Sequence, residues 1–228
     1  MIERYHGIVF ALDTDNETHA LELARAVSQY VDAIKIGYQL IMNTDLRILS
    51  RLRSEGILIP AIADLKITDA PHIVSCTAKA AFCAGYDAVT ISAHCGHTAL
   101  LNCITVSEAY GKCVIAFLEF TQNDGLIPSD LANEAARLAV EDGIYGIIAP
   151  GTKPQRVSML RNIVGQNCRI FSCGIGAQGA KLGSAINAGA DFEIVGRAIC
   201  GAANPEFTAK SYSTDLRSLM NATQNKME

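Results

Sequence analysis

Three charged residues of alternating sign follow a short apolar run in the first third of the chain. The run Ile57–Ala63 predicts a buried strand, and directly after it come Asp64, Lys66 and Asp69. Side chains two residues apart in extended backbone point to the same side, so Asp64 and Lys66 are expected to lie together. Charges at the end of a buried strand cost free energy unless they pair with each other or with a ligand. A structural ion pair and a catalytic array both meet that requirement.

A second lysine extends this group. Lys35 lies inside the predicted strand Ala33–Gly37 and can point into the same site. A lysine among carboxylates stays protonated, because opposite charges favour its charged form, and it can then stabilise or protonate a carbanion. A carboxylate held beside a substrate carboxylate would favour the loss of CO2. This chemistry needs no metal and no cofactor, and its candidate catalytic residues are Lys35, Asp64, Lys66 and Asp69.

A glycine-rich stretch late in the chain is a candidate phosphate site. Gly174–Gly179 matches G-x-G-x-x-G, but a dinucleotide-binding fold carries that motif after its first strand. Here the motif follows the seventh predicted strand, and barrels bind phosphate between the loops after strands seven and eight. Arg197, preceded by Gly196, would add a charged contact to the phosphate. The alternative is a set of turn glycines beside a surface arginine.

Two histidines and a glutamate are weaker candidates. The spacing of His94 and His97 with a single thiol, Cys95, is incomplete for a zinc site, so ordinary histidines in a loop are expected. Glu119, which ends the fifth predicted strand, is expected to be a paired charge rather than an acid of the site. A solvated helix face is expected for three basic residues: Lys153, Arg156 and Arg161.

The elements that must position these residues are eight strand-then-helix units without a linker. Strands that alternate with amphipathic helices imply a parallel sheet, and eight such units in 228 residues predict a single (β/α)8 barrel, a TIM barrel, over residues 1–228. An open doubly wound sheet is the alternative. One helix is expected over Leu40–Arg53. Barrel active sites lie at the C-terminal ends of the strands, where this chain has Asp13, Asp64, Lys66, Asp69, Thr121, Gln178 and Arg197.

Net charge and cysteine content indicate which classes of partner and which cellular compartment to expect. The net charge of −4 and the absence of a basic patch make nucleic acid an unexpected partner, while a small anionic substrate remains possible. Eight cysteines without a C-x-x-C pair suggest reduced thiols in the cytoplasm. The apolar run at the N-terminus stops at Asp13, too early for a signal peptide or a membrane-spanning helix.

The sequence resembles the orotidine 5′-monophosphate decarboxylase family in its compact archaeal form. The resemblance runs from Ala11-Leu12-Asp13 to Val195-Gly196-Arg197, and its most specific part is Asp64-x-Lys66-x-x-Asp69 combined with Lys35-Ile36-Gly37. It implies the conversion of orotidine 5′-monophosphate to uridine 5′-monophosphate and CO2, for pyrimidine biosynthesis, by a cytoplasmic homodimer without a metal. Related magnesium-dependent sugar-phosphate enzymes share the D-x-K-x-x-D pattern but typically carry an acidic metal ligand in place of Lys35. They remain an alternative, as does a barrel that only binds a nucleotide.

The resemblance also implies a role for each candidate residue. Lys66 would protonate C6 of the pyrimidine after CO2 leaves, and Asp64 would lie against the leaving carboxylate. Lys35 and Asp13 would bind ribose hydroxyls, and Asp69 would reach into the site of a second subunit. The other implied substrate contacts are Thr121 at the pyrimidine ring and Gln178, Gly196 and Arg197 at the 5′-phosphate.

Three positions depart from the family pattern. Cys173 stands before Gly174 where the family often has proline, and Ile73 stands where a threonine commonly contributes across the dimer. The fourth predicted strand ends in Ile91-Ser92-Ala93 instead of a Val-His-Gly-like sequence. These departures affect the phosphate loop and the contacts between subunits, and they leave the charged array intact.

Overall fold

Eight parallel strands form one closed barrel in the computed structural model, which describes residues 1–122 and 124–224. Each strand pairs with the next one in the chain, and the last strand pairs with the first. The strands are β1 (Ile8–Ala11), β2 (Ala33–Gly37), β3 (Ala61–Ile67), β4 (Ala88–Ser92), β5 (Cys113–Phe117), β6 (Gly146–Pro150), β7 (Arg169–Cys173) and β8 (Phe192–Val195). The predicted (β/α)8 class is confirmed, and the open sheet is excluded.

Helices follow the strands and cover the outside of the barrel. They are α1 (Glu17–Val27), α2 (Tyr38–Asn43), α3 (Ile48–Ser54), α4 (Pro71–Cys83), α5 (His97–Ala109), α6 (Ser129–Glu141), α7 (Pro154–Val164), α8 (Ser184–Asn187), α9 (Arg197–Cys200) and α10 (Pro205–Gln224). Within the described ranges, 1–122 and 124–224, none of them has the length and apolar character that a membrane crossing requires.

The strands are buried on both faces, because alternate side chains point into the barrel and toward the helices. One apolar cluster fills the interior, where the rings of Phe171 and Phe192 stack with 4.8 Å between their centroids. A second, larger cluster lies between the strands and the helices and includes Phe10, Ile34 and Ala63. The barrel is therefore a packed core, and polar side chains enter its interior at the C-terminal ends of the strands.

The third strand differs from its prediction. It covers Ala61–Ile67 instead of Ile57–Ala63. Pro60 lacks a backbone N–H and cannot donate to a ladder, so regular pairing begins after it. The strand then continues through Asp64 and Lys66, because these charges compensate each other at the barrel mouth.

The helix predicted over Leu40–Arg53 is also wrong as a single element, because it is divided into α2 and α3. Asp45 lies at the break, and its carboxylate accepts a hydrogen bond from the backbone N–H of Arg47 at 2.6 Å. Such local side-chain bonds compete with helical hydrogen bonding and favour a turn.

Candidate active site

A cavity of about 270 Å³ opens at the C-terminal ends of the strands. Its lining includes eight of the nine residues predicted for the site, from six different strands or the loops after them: Asp13, Lys35, Asp64, Lys66, Thr121, Gln178, Gly196 and Arg197. Most of the other lining residues are apolar. The structure therefore brings together residues that are as much as 184 positions apart in the chain, from Asp13 to Arg197.

Asp64 is the centre of the charged array. Its Oδ2 lies 2.6 Å from Nζ of Lys35, and its Oδ1 lies 2.8 Å from Nζ of Lys66. Lys35 also lies 3.7 Å from Oδ1 of Asp13, which extends the array toward solvent. Asp64 and Lys35 are only 4% and 7% exposed, so these charges depend on one another for their stability.

The array fixes the charge state of its two buried members. Burial alone would raise the pKa of Asp64, but the ammonium groups of Lys35 and Lys66 outweigh it and hold that pKa well below its usual range. Burial alone would lower the pKa of Lys35, but the carboxylates of Asp64 and Asp13 outweigh it and raise that pKa. The site therefore holds an aspartate anion between two lysines.

Thr90 of β4 is a member of this site that the sequence reasoning missed. Its Oγ1 donates a hydrogen bond to Oδ1 of Asp64 at 2.9 Å and accepts one from the backbone N–H of Lys66 at 2.8 Å. The sequence feature that could have identified it is a single hydroxyl within the otherwise apolar run Ala88–Ile91, which is the strand after the one with Asp64 and Lys66.

Aromatic and sulfur-containing side chains line the cavity next to the array. Nζ of Lys66 lies 5.6 Å from the ring centroid of Phe117, whose edge-to-face partner at 4.7 Å is Phe120. Burial raises the pKa of the Cys173 thiol to about 11, so this thiol is neutral at physiological pH. The apolar wall lowers the local dielectric, which strengthens the interactions of the charges it surrounds.

The opposite side of the cavity is suited to an anion. Arg197 is exposed, and its guanidinium makes no ion pair or hydrogen bond with any residue that the structure describes. Gly174 and Gly176 have φ values of 96° and 73°, which favour glycine, and a Cβ on Gly176 would lie 2.8 Å from Cβ of Ala198. Gln178 lines the cavity from the same loop. A free cation beside a close backbone turn is the arrangement that binds phosphate.

Asp69 is not brought to the array by this chain. It is exposed, it lies outside the cavity lining, and its Oδ1 accepts a hydrogen bond from the backbone N–H of Ala70 at 2.6 Å. Within one chain, the array therefore consists of Asp13, Lys35, Asp64 and Lys66.

Glu119 is paired, as expected, because Oε1 accepts a hydrogen bond from Nε of Arg156 at 2.8 Å. The same contact shows that the predicted solvated face of α7 is wrong. The side chain of Arg156 is mostly buried against Glu119, and Arg161 is mostly buried against Asp191. These two arginines therefore form ion pairs that connect α7 to neighbouring segments of the barrel.

The two histidines after β4 make separate contacts. Nδ1 of His94 lies 2.8 Å from the Ser92 hydroxyl, and Nε2 of His97 lies 2.7 Å from a carboxylate oxygen of Asp142. Among residues 1–122 and 124–224, no three His, Cys, Asp or Glu side chains form a group that could hold a metal ion.

Comparison with known proteins decides the family. The model of the orotidine 5′-phosphate decarboxylase / HUMPS family matches residues 7–212. The chain belongs to this family. That membership confirms the resemblance, whose most specific part is Asp64-x-Lys66-x-x-Asp69 combined with Lys35-Ile36-Gly37.

Relatives within the orotidine 5′-phosphate decarboxylase / HUMPS family match nearly the whole chain. The orotidine 5′-phosphate decarboxylase of Methanosarcina barkeri is 39% identical over 216 residues, which is 94% of this chain and 96% of the relative. The crystal structure of orotidine 5′-phosphate decarboxylase from Pyrococcus horikoshii OT3 is 34% identical, with a TM-score of 0.84 over 92% of this chain and 99% of that one.

A second solved structure carries a ligand. It is orotidine 5′-monophosphate decarboxylase from Methanocaldococcus jannaschii complexed with the inhibitor BMP. It is 27% identical to this chain, with a TM-score of 0.86 over 95% of this chain and 99% of that one.

Proposed function

We propose that this chain decarboxylates orotidine 5′-monophosphate, giving uridine 5′-monophosphate and CO2 for pyrimidine biosynthesis. The observation that carries the proposal is Asp64 bonded to both Lys35 and Lys66 in the cavity beside Arg197. Relatives named orotidine 5′-phosphate decarboxylase match the chain over more than nine-tenths of its length, which supports the same substrate.

The substrate is held from both ends of the cavity. Arg197 and Gln178, with the backbone N–H of Gly196, bind the 5′-phosphate, because the free guanidinium can make charge-assisted hydrogen bonds to its oxygens. Asp13, at the exposed edge of the array, and the more deeply buried Lys35 bind the ribose hydroxyls. Thr121, which lines the cavity next to Phe120, contacts the pyrimidine ring.

The chemical step uses the middle of the array. The anionic carboxylate of Asp64 opposes the substrate carboxylate, and this repulsion is relieved when the bond between C6 and the carboxyl carbon breaks. The electron pair of that bond remains on C6, where the Lys66 ammonium stabilises the developing charge. Lys66 then transfers its proton to C6 as a general acid and is reprotonated from solvent after the product leaves.

No metal is required by this mechanism. The two carboxylates at the mouth, Asp13 and Asp64, already have the Lys35 ammonium as their shared cation. A magnesium-dependent sugar-phosphate enzyme of the same family is the second candidate, and a barrel that binds nucleotides without turnover is the third.

The deciding experiment follows the absorbance of orotidine 5′-monophosphate with protein treated with EDTA, and identifies uridine 5′-monophosphate by chromatography. We expect full activity that added Mg²⁺ does not change. Activity that vanishes in EDTA and returns with Mg²⁺ would favour the second candidate. Tight nucleotide binding without product would favour the third.

We further infer that the active form is a homodimer in which Asp69 acts in the site of the partner subunit. Asp69 is exposed at the end of β3, and exposed apolar side chains on the nearby α2 and α4 include Tyr38, Met42 and Ile73. Tyr38 lies beside the same strand, since its hydroxyl donates to the backbone carbonyl of Leu65. An apolar surface around an unused carboxylate is what a shared site would bury.

Mixed dimers test the shared site. Neither Lys66→Ala nor Asp69→Asn should be active alone. Subunits mixed after reversible dissociation should regain about one quarter of wild-type activity, since half of the dimers would then contain one intact site. No recovery in dimers shown to be mixed by mass spectrometry would place Asp69 in its own chain's site.

The protein is proposed to act in the cytoplasm. All eight cysteines are free thiols, as a reducing compartment would keep them. Activity in the membrane or periplasmic fraction of the source cells would contradict this location.

A further inference from the structure

Thr90 occupies a special position between the two central members of the array. Its side chain is fully buried, at 0% exposure. The hydroxyl donates to the side chain of Asp64 and accepts from the main chain of Lys66, at 2.9 and 2.8 Å. One oxygen atom therefore links the carboxylate of one charged residue to the backbone of the other.

The strand pairing explains why the backbone of Lys66 needs this partner. Between β3 and β4, Ala63 pairs with Val89 and Ile67 pairs with Ile91, so the register shifts between these two pairs. Three residues of β3, numbers 64–66, consequently lie opposite Thr90 alone. Such a bulge disturbs the regular ladder and re-aims the side chains within it. The Thr90 hydroxyl supplies an acceptor for the Lys66 N–H at this point.

Lys66 also has an unfavourable backbone conformation. Its φ of 40° is positive, and among residues 1–122 and 124–224 it is the one non-glycine residue with that property. A residue with a Cβ adopts this region only when its surroundings hold it there, and such positions concentrate at functional sites. The conformation places Nζ of Lys66 within 2.9 Å of both carboxylate oxygens of Asp64.

We propose that Thr90 is a positioning residue for the proton transfer, an inference that rests on the proposed function. Its hydroxyl holds the bulged backbone of Lys66 and the carboxylate of Asp64 in one fixed relation. The Lys66 ammonium is thereby aimed at the position of C6, while the groups that bind phosphate and ribose are left to act independently.

The direct test is Thr90→Val, which keeps the shape of the side chain and removes the hydroxyl. We expect kcat for orotidine 5′-monophosphate to fall about 100-fold, the scale of loss caused by misplacing a reacting group by about 1 Å. KM and the Kd of uridine 5′-monophosphate should stay within about threefold, because Arg197 and Asp13 keep their places. Thr90→Ser keeps the hydroxyl, and its kcat should stay within about threefold of the wild-type value.

A matched control separates positioning from general loss of stability. Ser107 is another buried hydroxyl, in α5 away from the cavity, and it donates to the carbonyl of Ile104 at 2.8 Å. Ser107→Ala should lower Tm as much as a lost buried hydrogen bond does and leave kcat unchanged. If Thr90→Val does not fold, the pair Thr90→Ser and Thr90→Ala repeats the comparison, because it removes the hydroxyl in a background without the methyl group.

Two results would overturn the inference. One is wild-type kcat in the variants that lack the hydroxyl, whatever their Tm. The other is an equal fall of kcat in Thr90→Ser, which would assign the effect to packing of the methyl group. The wild-type protein measured in the same assay keeps the two proposals apart, because an inactive wild type would refute the proposed function itself.

Discussion

Nζ of Lys66 lies 2.8 and 2.9 Å from the two carboxylate oxygens of Asp64, which is two positions earlier on the same strand. This contact is closer than a regular strand allows. Two side chains on the same face of a regular strand stand side by side, several ångströms apart. Here a bulge and a positive φ at Lys66 bring the charged ends together. The local distortion of β3 therefore brings the proposed proton donor, Lys66, into direct contact with the buried anion of Asp64.

The buried anion at Asp64 predicts a specific acid sensitivity. Its pKa in the folded chain is below the unfolded value of about 3.9, so between these values the unfolded chain binds more protons. The stabilisation it contributes is complete above about pH 5 and is lost as the pH falls through the folded pKa.

Urea unfolding at a series of pH values measures this effect. From about pH 4 downward, the free energy of unfolding of the wild type should fall more steeply than that of Asp64→Asn, by up to about 1.4 kcal/mol per pH unit. Asp64→Asn should also be about 3 kcal/mol less stable at pH 7, because Lys35 loses its nearest buried partner. Parallel pH curves for the two proteins would show that Asp64 is not the group responsible.

Removal of the Arg197 side chain is expected to weaken the binding of phosphorylated ligands only. Arg197→Ala should weaken the binding of uridine 5′-monophosphate by about 10- to 100-fold, since a hydrogen bond to a charged group contributes roughly 1.5–3 kcal/mol. The binding of uridine, which lacks the phosphate, should be unchanged. Calorimetric titration of both ligands makes the comparison.

The matched control for Arg197 is Arg137→Ala on α6. Arg137 is an exposed arginine outside the cavity, and it lies 3.1 Å from Glu134. This variant should bind both ligands like the wild type. An equal loss of affinity for uridine and its monophosphate in Arg197→Ala would show that the guanidinium does not contact the phosphate.

A side chain at position 37 is expected to lower catalytic efficiency with little change in thermal stability. Its φ of −106° is accessible to alanine, but a Cβ would lie 3.2 Å from Oδ1 of Asp13 and 3.6 Å from Nζ of Lys35. Gly37→Ala should therefore displace Asp13 and Lys35, which are proposed to bind the ribose, and lower kcat/KM by at least about tenfold, while Tm changes little. Steady-state kinetics and thermal unfolding measured on the same sample check this, and unchanged kcat/KM would place the ribose elsewhere.

Much of this arrangement was predictable, because strand ends in a parallel barrel meet at one edge. Asp13, Lys35 and Arg197 were predicted to share one barrel mouth without knowledge of their contacts, because Asp13 and Arg197 follow apolar runs and Lys35 lies inside one. The bounds of β3 could not be obtained in this way, because its charged half has no apolar pattern and is stabilised by Lys35 from the neighbouring strand.

Other features depend on information that is not local in sequence. Thr90 is one hydroxyl in an apolar strand, and only the register shift of β3 gives it two polar partners. Arg156 lies at a helix position that is typical of a surface residue. Its side chain is nevertheless mostly buried, because it forms an ion pair with Glu119. The predicted role of Asp69 requires a second chain, so it stays a prediction.

The proposed delivery of the proton by Lys66, in a reaction that needs no metal, is measured by kcat of Lys66→Ala in the presence of EDTA. The wild type should decarboxylate orotidine 5′-monophosphate under these conditions, and the variant should be slower by about 1000-fold or more, while it still binds uridine 5′-monophosphate. Near wild-type turnover by Lys66→Ala would show that Lys66 does not deliver the proton.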